Sequence, residues 1–368
     1  MIPWQHPAIR AFVVSRGALW LVGYLGLALI PIAAGDTWRA SPDNLWLDAW
    51  TRWDGGWYGQ IARDGYQAVP NAQGQRDVAF FPLYPWIVGL ISRTGLSVWS
   101  SGIALSHAAF ALALYWLHGL ASRLKDPTTA DRAVLLVAVY PCSFFLGAVY
   151  TEALFVATTV GAFYYAEQRR WPIAGALALA AGATRSVGVL ATVGLLIIFW
   201  QQRPRRWRDA PLAFGAVAGL GVYLTFLALR FDDPLLFVRS QDAAGWAGSM
   251  GLAEARATWA ALLAPDAFAA GRYPVMQLLN LLAVPACALG GVYVWRTLGP
   301  AYGAWTLLVT GVSAMAWVSM LRHASTLFPV FIVVAAAGDE ATQRRIVLVS
   351  AALMALLFVA FSHGYWVA

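Results

Sequence analysis

AFFPLYPWIVGLI, residues 79–91, is an apolar stretch of 13 residues, short of the roughly 20 that cross a hydrocarbon core, and Pro82 and Pro85 would interrupt a spanning helix. It reads as a re-entrant or interfacial helix. On that reading the next full span, about 98–121, runs inward and leaves Arg123, Lys125 and Arg132 in the cytoplasm. A complete crossing at 79–91 would put the same basic cluster outside.

The class follows from composition. With 60% hydrophobic residues, 12% charged residues and a mean hydropathy of +0.62, there is too little polar surface to coat a soluble domain. The expected fold is an all-α polytopic membrane protein, because backbone groups in lipid must be satisfied within each span. The alternating ten-residue pattern of an outer-membrane barrel is absent. A net charge of +7 does not point to nucleic acid, since the arginines cluster between apolar runs. Cys142 and Cys287 lie within apolar runs and support neither a disulfide framework nor a metal site.

Working outward, the first span is expected at about 12–34, its apolar run from about 18 to 34 preceded by Arg10 and Arg16, and reads as a retained signal anchor that sends the chain outward. Residues 35–97 then form a long first extracytoplasmic loop, rich in aspartate and tryptophan, with short helices at the membrane interface. Further spans are expected near 133–149, 151–166, 172–184, 187–200, 211–229, 275–295, 302–321, 326–337 and 346–365, about eleven in all under the 20-residue rule. A second outer loop is expected over 230–273. The turns at 150–152 (YTE), 184–186 (TRS) and 322–323 would face the same side as the first loop. No repeat or soluble module is evident, so residues 1–368 read as one membrane domain; oligomeric state is not encoded in any recognisable signal.

Within the first loop, RWDGGWYGQIARDGY at 52–66 places Asp54 between tryptophans and glycines at a membrane boundary. A shielded carboxylate there suits a general base for a sugar hydroxyl. The competing reading is an aspartate that caps the helix following it. Trp53, Trp57 and Tyr58 flank it as candidates for lining a substrate. Arg185 and Arg322 interrupt apolar stretches, where a guanidinium is costly and by default functional; each suits a phosphate, with headgroup snorkelling as the alternative. Glu152 could bind a sugar hydroxyl, orient Arg185 or cap a helix. His323 is a weaker substrate-binding candidate, and His107 reads as a helix-packing residue. There is no Walker loop, dinucleotide fingerprint, HExxH or paired CxxC. Arginine is expected to carry the phosphate charge, with no metal or other cofactor. A nucleotide-sugar enzyme needs a soluble α/β domain that this chain has no room for, so a sugar donor would be lipid-linked.

The 52–66 string, AFFPLYP, YPCSFFLGAVYTEALF at 140–155, GATRSVGVL at 182–190, SMLRHASTLFPVF at 319–331 and the terminal GYWVA together resemble, in order, the PIG-V family of membrane mannosyltransferases. The resemblance implies a glycosyltransferase C-type bundle: an inverting enzyme that takes a sugar from a polyprenyl-phosphate carrier on the outer face and gives it to a lipid-linked or glycan acceptor. It places the catalytic acid at Asp54 and an arginine at Arg322. Gly55 and Gly56 depart from the eukaryotic pattern, which implies a prokaryotic relative with another acceptor. The competing class is a transporter or lipid flippase, which would also carry Glu152, Arg185 and Arg322 inside a helical bundle. The missing inverted repeat and the long acidic loop weigh against it.

Overall fold

The computed structural model describes residues 5–32, 39–242, 252–261, 266 and 275–367. Residues 243–251, 262–265 and 267–273 of the expected second outer loop, and residues 35–38 of the first, lie outside them. The described residues form helices and no strands. Six helices are long and apolar enough to cross a membrane: Pro7–Leu29, Val98–Leu124, Trp207–Phe231, Val275–Leu298, Pro300–Ala324 and Glu340–Ser362. The other five expected spans fall on helices too short for a full crossing, Pro127–Val139, Glu152–Glu167, Trp171–Thr184, Ala191–Gln201 and Phe328–Ala336, and the one expected at 133–149 stops at Val139, before a 3-10 turn at Ser143–Leu146. These are packed mainly inside the bundle: in Glu152–Glu167 nearly every side chain is buried.

Contacts across the bundle sort the helix ends into two groups. At one end His363 Nε2 lies 3.0 Å from the Ile30 carbonyl, and Asp54, Glu152, Arg185 and Arg322 come together. At the other, the rings of His6 and His118 lie 4.7 Å apart, Lys125 donates to the Thr297 carbonyl at 3.3 Å, and Arg169 donates to the Arg203 carbonyl. The arginine-rich turns therefore gather opposite Asp54. Cysteines introduced at the exposed Gln73 and Gln201, in a chain with Cys142 and Cys287 replaced, should label from opposite faces of a membrane. Labelling of both from one face would overturn this arrangement.

The segment that decides the topology forms a helix only over Leu83–Ser92. Ten residues rise about 15 Å, half a hydrocarbon core. The helix crosses Gly55–Asp64 so closely that a Cβ on Gly89 would sit 2.7 Å from the Ala62 carbonyl oxygen. Before it, Asp77 accepts the backbone N–H groups of Gln67 and Ala68 at 2.7 and 2.9 Å, folding the polar gap back on itself. Tyr223 reaches in from a spanning helix to donate to the Val78 carbonyl at 2.6 Å.

Packing between helices uses small residues, as expected where lipid removes any hydrophobic preference for association. Trp171–Thr184 meets Gly215–Phe231 so tightly that a Cβ at Gly182 or Gly219 would approach a facing carbonyl oxygen within 2.0 Å.

One expectation is corrected. Arg16 is not a flanking charge of the first span: it is 2% exposed, and its guanidinium donates to the carbonyls of Ala138 (2.8 Å) and Ser143 (2.9 Å) and to Ser143 Oγ (2.6 Å). Those acceptors exist because Pro127–Val139 ends inside the bundle before a short 3-10 turn, Ser143–Leu146. A buried arginine is tolerated when such orphan carbonyls receive its N–H groups. Only Arg10 remains exposed at that flank. His107 is the packing residue expected, accepting from Trp20 Nε1 at 3.1 Å and bonding the Ile103 carbonyl at 2.9 Å.

Candidate active site

Asp54 stands at the entrance to the helix Gly55–Asp64, yet its carboxylate makes no capping bond. Its own φ and ψ, −56° and −21°, are already helical, which turns the side chain away from the helix N–H groups. The carboxylate faces Arg322 instead, accepting from Nη1 at 2.9 Å. The capping alternative is thereby set aside. Trp53, just before it, has φ +51°, a left-handed conformation that costs a non-glycine residue on the order of 1–3 kcal/mol.

Two supports hold this turn. Tyr150 accepts the Asp54 N–H at 3.2 Å and donates to the Arg52 carbonyl at 3.0 Å. Arg52 makes a two-pronged bond to Asp48, Nη1 to Oδ1 at 2.9 Å and Nη2 to Oδ2 at 2.8 Å, while its Nε donates to the Ser362 carbonyl at 2.8 Å. Asp48 also accepts from Arg39 Nε at 2.8 Å and the Ser41 N–H at 3.2 Å. Burial pushes the Asp48 carboxyl up, but the donors from Arg52, Arg39 and Ser41 prevail and hold it below the usual aspartate range. Asp48→Asn leaves Arg52, 2% exposed, without its counter-charge, so stability should fall by about 3–5 kcal/mol near neutral pH. Because the folded carboxyl is more acidic than the unfolded one, the ion pair's contribution is complete above the unfolded value near 4 and fades as pH drops through the folded value. Thermal melts of the two proteins should therefore converge in acid.

The second half of the site comes from three helix ends. Glu152 begins its helix, and one oxygen, Oε1, accepts from Arg322 Nε at 2.6 Å and from Arg185 Nη1 at 2.5 Å. Arg185 also donates to Thr151 Oγ1 at 3.2 Å, and Thr151 Oγ1 lies 3.4 Å from the Tyr58 hydroxyl. Glu152 Oε2 is buried with no partner among the described residues. Side-chain exposure rises outward: Glu152 0%, Arg322 8%, Arg185 17%, Asp54 23%. Two carboxylates and two guanidiniums so form one charge-balanced cluster, open on the Asp54 and Arg185 sides.

Arg322 is held by its backbone as well as its charge. Asn280 Oδ1 accepts the Leu321 N–H at 2.8 Å and Tyr140 donates to the Leu321 carbonyl at 3.0 Å, so two neighbouring helices fix the residue before it. The guanidinium lies over the rings of Tyr150 (4.9 Å) and Phe145 (5.3 Å). A break supplies the slack: Ala316, φ −115° and ψ +51°, interrupts the helix leading to Met320–Ala324.

Of the residues named from sequence, Asp54, Glu152, Arg185 and Arg322 converge, with Tyr58 at their edge. Trp57 is stacked on Phe80 at 5.6 Å, and Trp53, 43% exposed, meets Trp366 of the terminal GYWVA edge-on at 5.4 Å. His323 lies beside Arg322 in sequence, but its Nδ1 is buried without a hydrogen-bond partner among the described residues. Tyr150, Arg52, Asp48 and Asn280 were not singled out; the YTE turn alone hinted at the first.

In sequence, the chain is similar to known proteins over part of its length. Residues 37–204 match the family described as Mannosyltransferase (PIG-V). The GPI alpha-1,6-mannosyltransferase 2 of Rattus norvegicus is 34% identical over 164 residues, 41% of this chain and 32% of that protein; its Mus musculus counterpart is 33% identical over 164 residues, 41% and 31%. The match thus spans about a third of the length of these curated relatives. Among solved structures, the apo oligosaccharyltransferase of Archaeoglobus fulgidus superposes with a TM-score of 0.50 at 12% identity, covering 100% of this chain and 57% of that one. At that identity the likeness concerns the fold alone.

Proposed function

From the match to the mannosyltransferase (PIG-V) family, we propose that this chain is an inverting glycosyltransferase. It moves a sugar, mannose by family, from a polyprenyl-phosphate donor to a lipid-linked or glycan acceptor at the extracytoplasmic face. The observation that carries the reading is the balanced cluster of Asp54, Arg322, Glu152 and Arg185. A base and two fixed cations stand at one end of a membrane bundle, where such a reaction needs them.

In this reading Asp54 accepts the proton of the acceptor hydroxyl as that oxygen attacks the anomeric carbon. The bond from that carbon to the phosphate oxygen breaks on the opposite face, and the electron pair leaves with the lipid phosphate. Arg322 and Arg185 stabilise the charge that builds there, which fixed dipoles and cations do best in a water-poor site. Glu152 neither attacks nor takes a proton; it orients both guanidiniums through one oxygen. With the acids and arginines balanced beforehand, an arriving phosphate competes with Asp54 for Arg322 and turns the carboxylate loose toward the acceptor.

The test is direct: purified protein with synthetic polyprenyl-phosphate mannose and a panel of glycolipid acceptors should yield carrier-dependent sugar transfer with inverted stereochemistry. Movement of the carrier across a bilayer with no transfer to any acceptor would favour the transporter class instead.

A further inference from the structure

The end of the bundle opposite Asp54 carries a second cationic feature that the transfer reaction does not use. Between the starts and ends of three helices lies a shallow open cleft bordered by Arg169, Arg205, Arg206, Trp171, Phe199 and Asp209. Two helices connect this end with the catalytic cluster: Glu152–Glu167 begins at Glu152, and Trp171–Thr184 ends beside Arg185. At 1.5 Å per residue the separation is roughly 20–24 Å.

The cleft is built. Arg169 donates to the carbonyls of Arg203 (2.5 Å) and Pro204 (3.2 Å), so its guanidinium is fixed by backbone and not by an acid. Trp171 Nε1 donates to Gln202 Oε1 at 3.1 Å, and Gln202 Nε2 donates to the Ala166 carbonyl at 2.7 Å. Arg205 lies 4.0 Å over the Trp200 ring and donates twice to the Trp200 carbonyl. None of Arg169, Arg203, Arg205 and Arg206 forms an ion pair with a described carboxylate; Asp209 is 3.8 Å from Arg208. Three arginines, two of them fixed by backbone carbonyls, thus border the cavity against a single carboxylate, Asp209. Trp200 and Trp207, 60% and 64% exposed, flank it with ring centroids 6.4 Å apart. Exposed indoles beside apolar helices mark headgroup depth. The cleft is a shallow, open one, suited to a headgroup that stays partly in water and not to an enclosed ligand.

We propose that this cleft binds the phosphate headgroup of an anionic phospholipid in the leaflet opposite the active site. The arginines supply the phosphate contacts and the two exposed tryptophans hold the glycerol level. The occupied cleft would fasten together the turn before Trp171 and the turn after Gln201, which are otherwise crowded with positive charge.

Binding can be read without the transfer reaction, so it stands or falls apart from the catalytic assignment. The full chain, purified in a neutral detergent, is titrated with phosphatidylglycerol, phosphatidylcholine or inorganic phosphate, with the melting midpoint and the lipid retained in native mass spectrometry as readouts. Phosphatidylglycerol should raise the midpoint and stay bound; the other two should not. Arg206→Gln, which removes no hydrogen bond of the fold, should weaken retention about fivefold, and Arg205→Gln with Arg206→Gln by more. Arg132→Ala with Arg345→Ala removes equal charge from the same end and should leave retention unchanged. Equal losses in the two double variants would reduce the effect to diffuse surface charge and overturn the site. An equal response to phosphatidylcholine, or an equal shift with inorganic phosphate alone, would overturn it as well, in favour of bulk lipid or of a free anion.

Discussion

Asp54→Asn should lower turnover by about 10² to 10⁴, the range expected when a positioned general base is lost, while the protein stays folded. The substitution is nearly isosteric, and the amide oxygen can still accept from Arg322 Nη1, the bond the carboxylate receives at 2.9 Å. The support of the turn is untouched, because Tyr150 binds the Asp54 backbone N–H and not its side chain. Basicity is removed together with one negative charge, at the most exposed member of the cluster. The measurement is single-turnover sugar transfer at saturating donor and acceptor, with a melting curve as control. Near-normal turnover in a stable Asp54→Asn protein would sink the base assignment. A large loss of both turnover and melting temperature would show instead that the charge serves the fold.

Arg322→Ala should also lower transfer by about 10² to 10³, the scale of losing one electrostatic contact to a developing charge, and here stability should fall too. Arg322 and Glu152 are 8% and 0% exposed. Removing the cation leaves two carboxylates against Arg185 alone, and breaking a buried pair in this way costs about 3–5 kcal/mol. The two effects can be separated. Arg322→Ala combined with Glu152→Gln restores the balance, one acid against one arginine, and should recover much of the stability but none of the transfer. Arg322→Lys should rescue partly, since an ammonium cannot reach Glu152 and Asp54 with the planar fork that Nε and Nη1 provide. Transfer should persist in chelator. Activity abolished by chelator and restored by Mg²⁺ or Mn²⁺ would move the phosphate-holding role from Arg322 to a metal.

Much of this was legible in the chain. Apolar runs located the six helices that are long enough to cross a membrane among the described residues, because hydropathy is imposed by lipid on each helix separately. Glu152, Arg185 and Arg322 stood out for the same reason: a charge between apolar arms is costly wherever the fold puts it; Asp54 stood out as a carboxylate set among tryptophans and glycines at a membrane boundary. What could not be read was pairing. Nothing local says that Arg322 spans Asp54 and Glu152, whose partners lie 268 and 170 residues away. Arg16 was misread because a basic residue near a first span looks like a topogenic flank; its acceptors, Ala138 and Ser143, come from a helix break over 120 residues later. Asp48 and Arg52 looked like ordinary loop charges, and only tertiary contact makes them a buried pair.

The bond from Arg52 to the Ser362 carbonyl joins residues separated by 310 positions. A ribosome delivers the first loop early and the final helix last, so the loop waits through most of translation without one of its moorings. The turn carrying Asp54, with its unfavourable Trp53 backbone, has its full complement of supports only when Glu340–Ser362 has been inserted. On the proposed function, competence is thereby tied to completion of membrane insertion, and a half-made chain, although it already contains the aspartate proposed as base, would be a silent one.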